Sequence, residues 1–98
     1  MARIVWTMRA AEEYGAAVAY VSREAPVAAK RLAQRIMRRI LSLRDFPDSG
    51  GFIPEDDSHT YRQLIEGNYR IIYRREKDAA IILSIYHGAR FLSSEDLT

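Results

Sequence analysis

The sequence has no cysteine, which excludes disulfides, thiolate metal sites and cysteine nucleophiles. Its two histidines, His59 and His87, stand too far apart in sequence to suggest a histidine metal cluster, so neither metal nor cofactor is expected. No run approaches the roughly 18 consecutive apolar residues that a membrane-crossing helix needs. The opening MARIVW leads straight into a strand-like segment rather than a signal peptide. A soluble, cytoplasmic protein without membrane contact is the expectation. Lysine is scarce too: of 15 basic residues only Lys30 and Lys77 are lysines. The others are arginines, which stabilise negative charge but, with a pKa above about 12, are poor proton acceptors.

What is present suits one core. At 98 residues and 48% hydrophobic composition the chain is long enough for one compact domain, spanning 1–98, and too short for two. The net charge of +2 hides an asymmetry, because residues 1–47 carry nine Lys/Arg against four Asp/Glu and residues 48–98 carry six against nine. Most of the basic excess lies in KRLAQRIMRRILSLR, residues 30–44. A basic stripe of this kind fits an acidic partner, either nucleic acid or an acidic protein segment; it equally fits a solvated helix face.

Along the chain, Arg3 to Trp6 reads as a short strand. Thr7 offers an N-cap for a helix from Met8, with Glu12 and Glu13 in its early turns and Ala11, Tyr14, Ala17, Val18 and Val21 on one packable face. That helix ends near Arg23 to Ala25. Pro26 suits the first turn of a second helix whose apolar stripe is Ala29, Leu32, Ile36, Ile40 and Leu43 and whose outer face carries Lys30, Arg31, Arg35, Arg38 and Arg39. The short join makes the two an antiparallel hairpin. A breaker-rich loop from Phe46 continues past Pro54 to the acidic Glu55, Asp56 and Asp57. Tyr61–Ile65, Tyr69–Arg75 and Ala79–His87 then read as a three-stranded antiparallel meander, giving an α+β fold with one small sheet. Alternation puts Tyr69, Ile71, Tyr73 and Arg75 on one face of the middle strand and Arg70, Ile72 and Arg74 on the other. A helical hairpin covers one face only, so the opposite face is expected to stay open and collect polar groups.

The pieces IVWTMRAAEEY, a helix opening with Pro and Ala-Ala, LRDFPDSGGFIPE, YRQLIEGNYRIIY and ILSIYHGARFL, in that order over nearly the whole chain, resemble the RelE/ParE superfamily of toxins from bacterial type II toxin–antitoxin systems. The Trp-Thr start, the Pro-x-x-Gly loop, the Pro-Glu pair and His-Gly-x-Arg after the last strand are similar to the ParE-like branch, linked with plasmid stabilisation. The resemblance implies a toxin that poisons DNA gyrase and is neutralised by a ParD-like antitoxin through an acidic amphipathic C-terminal segment. RelE-like members instead cut messenger RNA on the ribosome, and a third possibility is an inactive homologue that only binds antitoxin. Fold alone does not choose between them.

Site chemistry separates the readings. Cleavage by a 2′-hydroxyl needs a base, an acid and positive charge on the phosphate. Where RelE-like toxins keep a basic pair on a strand, this chain has Tyr61, Arg62 and Gln63. A nuclease would have to use His87 as acid or base, with Arg62, Arg70 and Arg90 clamping phosphate. For a gyrase-directed toxin, Arg62, Arg70, Arg74, His87 and Arg90 are the candidate target-binding groups and no catalytic residue is needed. Structural roles compete at each of these positions: a carbonyl hydrogen bond for His87, an ion pair with Glu55, Asp56 or Glu66 for Arg70. Ala16, Ala17 and Val18 beside Arg31, Arg35 and Arg38 are the candidate antitoxin-binding surface.

Overall fold

A computed structural model describes residues 1–88 and 92–97. The chain runs β1 (Arg3–Trp6), α1 (Met8–Ser22), α2 (Pro26–Leu41), a 3-10 turn (Ser42–Arg44), β2 (Gly51–Phe52), β3 (Tyr61–Glu66), β4 (Tyr69–Glu76), β5 (Ala79–His87) and a second 3-10 turn (Ser94–Leu97). The class is α+β, as the periodicities imply. The sheet is larger than the meander, with five strands in the order β1-β5-β4-β3-β2. β1 adds in parallel to β5, and β2 adds antiparallel to β3. A two-residue strand inside a loop rich in Pro, Gly and Ser leaves no periodic signal, which is why alternation does not find β2.

Thr7 joins sheet to helix. Its Oγ1 accepts from the Ala10 N–H at 3.1 Å as an N-cap and donates to the Ile82 carbonyl at 2.9 Å, so the start of α1 is fixed to the place where β1 stops pairing with β5. Past that point the edge of β5 would carry an unpaired donor. The Glu13 carboxylate takes it, accepting from the Ile85 N–H at 3.2 Å and the Ser84 hydroxyl at 2.7 Å. Pro26 opens α2 at its first turn.

Between hairpin and sheet, Leu32, Ile36, Ile40 and Leu43 pack with Leu64, Ile71, Tyr73, Ala80, Ile82 and Ile85. From α1 the fully buried member is Ala10, whereas Ala11 of the expected face is exposed, because the cap at Thr7 sets the rotation of the first turn. Ile82 and Ile85, three apart, face the same core. Strict alternation forbids that. Pairing steps from Ile72↔Ser84 to Tyr73↔Ile82, leaving Leu83 as the extra residue of a bulge that resets the phase.

The far face of the sheet is covered, contrary to expectation. Ile53, Ile72, Tyr86 and Leu92 form a second apolar cluster there, with Tyr61 and Leu97 packed against it. Loop residues and the C-terminal segment supply the cover that the helices do not.

Tyr73 ties the loop after α2 to the sheet. Its side chain is fully buried, its hydroxyl donates to the Pro47 carbonyl and accepts from the Gly50 N–H, both at 2.9 Å, and burial pushes its pKa up. A Cβ at Gly50 would lie 2.7 Å from the Tyr73 ring and from the Gln63 carbonyl oxygen, so glycine is required by close approach. Tyr73→Phe should therefore cost about 1–3 kcal/mol, since it strands the buried Gly50 N–H. Gly50→Ala should cost a comparable amount through overpacking. Urea denaturation of each variant is the measurement, and a Tyr73→Phe cost below about 0.5 kcal/mol would mean that the loop does not depend on the hydroxyl.

Candidate functional site

The two-residue turn Gly67-Asn68 and the end of β5 meet at one end of the sheet, where Tyr69 pairs with His87 and the Gly88 N–H donates to the Asn68 carbonyl at 2.6 Å. Gly67 takes the left-handed conformation that this turn requires, with φ of +59°. Beside it lies a cleft of about 350 Å³ between Ile65, Asn68, Tyr69, Arg70, His87 and Gly88. The rings of Tyr69 and His87 meet edge to face with centroids 5.6 Å apart. His87 is exposed and Tyr69 half-buried, its other side packed against the main core. Alternation places Tyr69 with Ile71 but does not reveal its contact with His87; aligning β4 and β5 across their short turn sets Tyr69 against Tyr86, and the bulge at Leu83 moves the register by one to His87.

Arg70 does not point its charge into the cleft. Its Nη1 and Nη2 donate to the two oxygens of Glu55 at 2.6 and 2.8 Å, and its Nε donates to Gln63 Oε1 at 2.8 Å. The two ionic side chains are only 11% and 9% exposed, so this is a forked pair held out of water. The hydrogen bonds from Arg70 keep the Glu55 carboxyl below the usual carboxylate range against the opposing effect of burial, and Glu55 in turn holds the guanidinium more firmly in its charged form. Of the three carboxylates offered as partners by the sequence, Glu55 is the one used.

The other candidates are dispersed. Arg62 pairs with Tyr73 in the register, on the opposite face of the sheet from Arg70. It donates to the carbonyls of Asp48 and Gly50 at 3.0 and 2.8 Å, and its guanidinium lies 4.2 Å above the centre of the Phe52 ring. Phe52 stacks on His59 with centroids 4.6 Å apart. Arg75 also reaches this loop, through Asp48 at 2.7 Å. Arg74 pairs with Glu76 on the surface. Arg90 falls outside the described residues. The structure thus brings Arg70 and His87 to one cleft, with only the aliphatic part of Arg70 near Gly88, and leaves Arg62 and Arg74 elsewhere. Among the described residues no three His, Asp or Glu side chains come together as metal ligands.

On the helices, Arg35 and Arg39 approach Glu66 at 3.5 and 3.9 Å and so link α2 to β3. Arg31 is exposed, Ala16 is exposed, and Ala17 and Val18 are half-buried. Arg38 borders a groove of about 590 Å³ floored by Tyr14, Ala33, Met37 and Leu41, in which Tyr14 donates to the Ala33 carbonyl at 3.2 Å. No helix among the described residues is long and apolar enough to cross a membrane.

The Arg70 fork makes a pH signature. Glu55 has a folded pKa below its unfolded value of about 4.3, so its contribution to stability is complete above that value and is lost as pH falls through the folded one. Glu55→Gln should cost about 2–4 kcal/mol at pH 7, where it leaves Arg70 without its partner. The same substitution should cost much less at the acid end of the range, where wild-type Glu55 is itself protonated. Urea denaturation at both pH values measures the difference, and a cost independent of pH would remove the pair from the acid response.

A family model described as the ParE toxin of the type II toxin–antitoxin system parDE matches residues 4–91. The toxin RelE2 of Caulobacter vibrioides is 32% identical over 91 residues, spanning 92% of this chain and 99% of that protein. A solved chain of the chromosomal ParDE toxin–antitoxin system from P. aeruginosa has the same fold, with a TM-score of 0.75 at 22% identity over 89% of this chain and 96% of that one. With the family match running from β1 past the end of β5 and a relative of that identity over nearly its full length, the chain belongs to the ParE toxin family of type II toxin–antitoxin systems.

Proposed function

We propose that this toxin inhibits growth by binding DNA gyrase, without catalysis of its own, and that a cognate ParD-like antitoxin neutralises it. The observation that carries the reading is the state of the arginines. A phosphoryl-cleaving site needs several cations aimed at one point with a base beside them. Here Arg62 and Arg70 sit on opposite faces of the sheet, each committed to acceptors of its own chain, and the only two lysines are Lys30 in α2 and Lys77 in the β4–β5 turn. Groups arranged in this way can bind a partner, whereas they make a poor transition-state clamp. The edge-to-face contact of Tyr69 and His87 beside the cleft favours the second reading, a ribosome-dependent messenger RNA endonuclease in which His87 moves the proton and ribosomal RNA supplies further charge.

The antitoxin's docking surface is the helical hairpin. The groove beside Arg38 offers apolar Tyr14, Met37 and Leu41, the last 45% exposed, and the exposed Lys30 and Arg31 lie further along the same helix. An acidic amphipathic segment that folds as it binds fits both features. Arg35 is engaged with Glu66 and lends less to the attraction than its position on the helix suggests.

Expression in cells separates the targets. Gyrase poisoning should produce filamentation and a DNA-damage response, and folded His87→Ala should lower toxicity by a graded amount, about tenfold or less in binding. An immediate stop in protein synthesis with messenger RNA cuts on the ribosome, lost by about 100-fold or more in His87→Ala, would overturn the gyrase reading in favour of the nuclease. Full toxicity in that variant would return His87 to a structural role, and no toxicity in the parent would leave an antitoxin-binding homologue. For the antitoxin, hydrogen exchange in residues 8–44 should slow in the complex; unchanged exchange there would displace the partner from the hairpin.

A further inference from the structure

Ile65 is 51% exposed although it belongs to a six-residue strand, because β2 reaches along β3 only as far as Gln63. In the register it stands opposite Arg70, on the same face of the sheet. The stem of Arg70 passes from there toward Gly88: a Cβ at position 88 would lie 3.6 and 3.8 Å from its Cγ and Cδ, and 3.2 Å from the Asn68 carbonyl oxygen. A side chain at that position would stand in the cleft, and glycine leaves it open. Tyr69 and His87, edge to face, form the remaining wall. The cleft is thus lined by a β-branched side chain, arginine methylenes and ring edges.

Cationic charge is turned away from this space. Among the described residues that line it Arg70 is the one arginine, there is no lysine, and all three guanidinium nitrogens donate to Glu55 or Gln63. At the end of β3 the Glu66 carboxylate faces Arg35 and Arg39. A phosphate entering the cleft could engage Arg70 only by breaking a forked pair held out of water, which is costly. A neutral ring meets no such cost. It would cover Ile65 and the Arg70 methylenes and meet the ring edges of Tyr69 and His87, while the Asn68 amide can serve an indole N–H or a phenol hydroxyl. A volume of about 350 Å³ is at the low end for a ligand pocket, so it suits one side chain rather than an extended segment.

We propose that this cleft receives a single aromatic side chain of the toxin's protein target and anchors the contact between them. The proposal rests on the reading of the chain as a non-catalytic binder of gyrase, and adds the chemistry by which the cleft recognises that partner. Aromatic side chains seated in small desolvated pockets are the groups that dominate protein interfaces. The arginine fork acts here by keeping the floor neutral, so that an anionic ligand is refused where an uncharged ring is accepted.

The full-length chain, titrated with N-acetyl-tryptophanamide and followed by amide NMR shifts, should bind it with a dissociation constant of about 1 mM and shift at Ile65, Asn68, Tyr69 and Gly88. Adenosine 3′-monophosphate should bind at least about tenfold more weakly. Ile65→Asp should raise the concentration of toxin needed to inhibit supercoiling by purified gyrase about tenfold or more, and Ile65→Ala, the milder change to the same wall, about threefold. Hydrogen exchange at Ile71 and Ile82 reports whether each variant is folded. Preference for the nucleotide, or N-acetyl-tryptophanamide shifts confined to α1 and α2, would overturn the aromatic site. Undiminished gyrase inhibition by the folded Ile65 variants would also overturn it while leaving gyrase as the target. A parent chain that binds N-acetyl-tryptophanamide at the cleft yet leaves gyrase uninhibited would instead overturn the gyrase reading, with the preference for a neutral ring upheld by the titration itself.

Discussion

The fork from Arg70 to Glu55 is the interaction on which the far side of the sheet depends. Arg70 stands near the start of β4, a strand paired with β3 on one side and β5 on the other, and its side chain is only 11% exposed. An isolated guanidinium in that position would be costly, and the carboxylate that neutralises it comes from the loop between β2 and β3. Meeting the charge therefore draws the loop onto the sheet. Once it is there, Ile53 packs beside Ile72 and Tyr86, and the same carboxylate receives the backbone of Leu92. An electrostatic requirement thus organises an apolar cluster that has no periodic element of its own.

On the helical side the organising groups are polar as well. Thr7, Glu13 and Tyr73 contribute less apolar area than the isoleucines around them, yet each closes a gap that apolar packing cannot. Thr7 converts the end of a strand into the start of a helix, Glu13 satisfies the strand edge that the short β1 leaves open, and Tyr73 holds the loop after α2 through two hydrogen bonds. Buried backbone donors must be paired, and a small sheet with short edge strands has several to pair. These three side chains explain how so small a sheet can have a four-residue and a two-residue strand at its margins.

The same bookkeeping of partners bears on function. Net charge and the run of basic residues in α2 describe how much positive charge the chain carries, not how much of it faces outward. Arg35 and Arg39 converge on Glu66, Arg62 and Arg75 converge on the Asp48 loop, and Arg9 meets Asp96. Lys30, Arg31 and Arg38 are exposed along α2, beside the apolar groove of the hairpin. Attraction of an acidic partner is thereby directed to the helices, where steering and apolar contact coincide.

Periodicity and punctuation by themselves determined β1, both helices, the Thr7 cap, the Pro26 start and the three long strands, because each is a local signal: a repeat of 3.6 or 2 residues, a capping hydroxyl, a fixed proline φ. The buried stripe of α2 and of the 3-10 turn that follows it, from Ala29 to Leu43, was equally legible, since a helix against a sheet has one direction in which to bury it. Tertiary structure alone decided the rest. The parallel addition of β1, the two-residue β2 and the bulge at Leu83 depend on pairing between residues distant in sequence, for which no local repeat exists. The cover over the second face depends on Glu55 reaching Arg70. Whether an arginine is a binding group or a fastening is set by which acceptors lie within about 3 Å of it, and a one-dimensional pattern of charges carries no such distance.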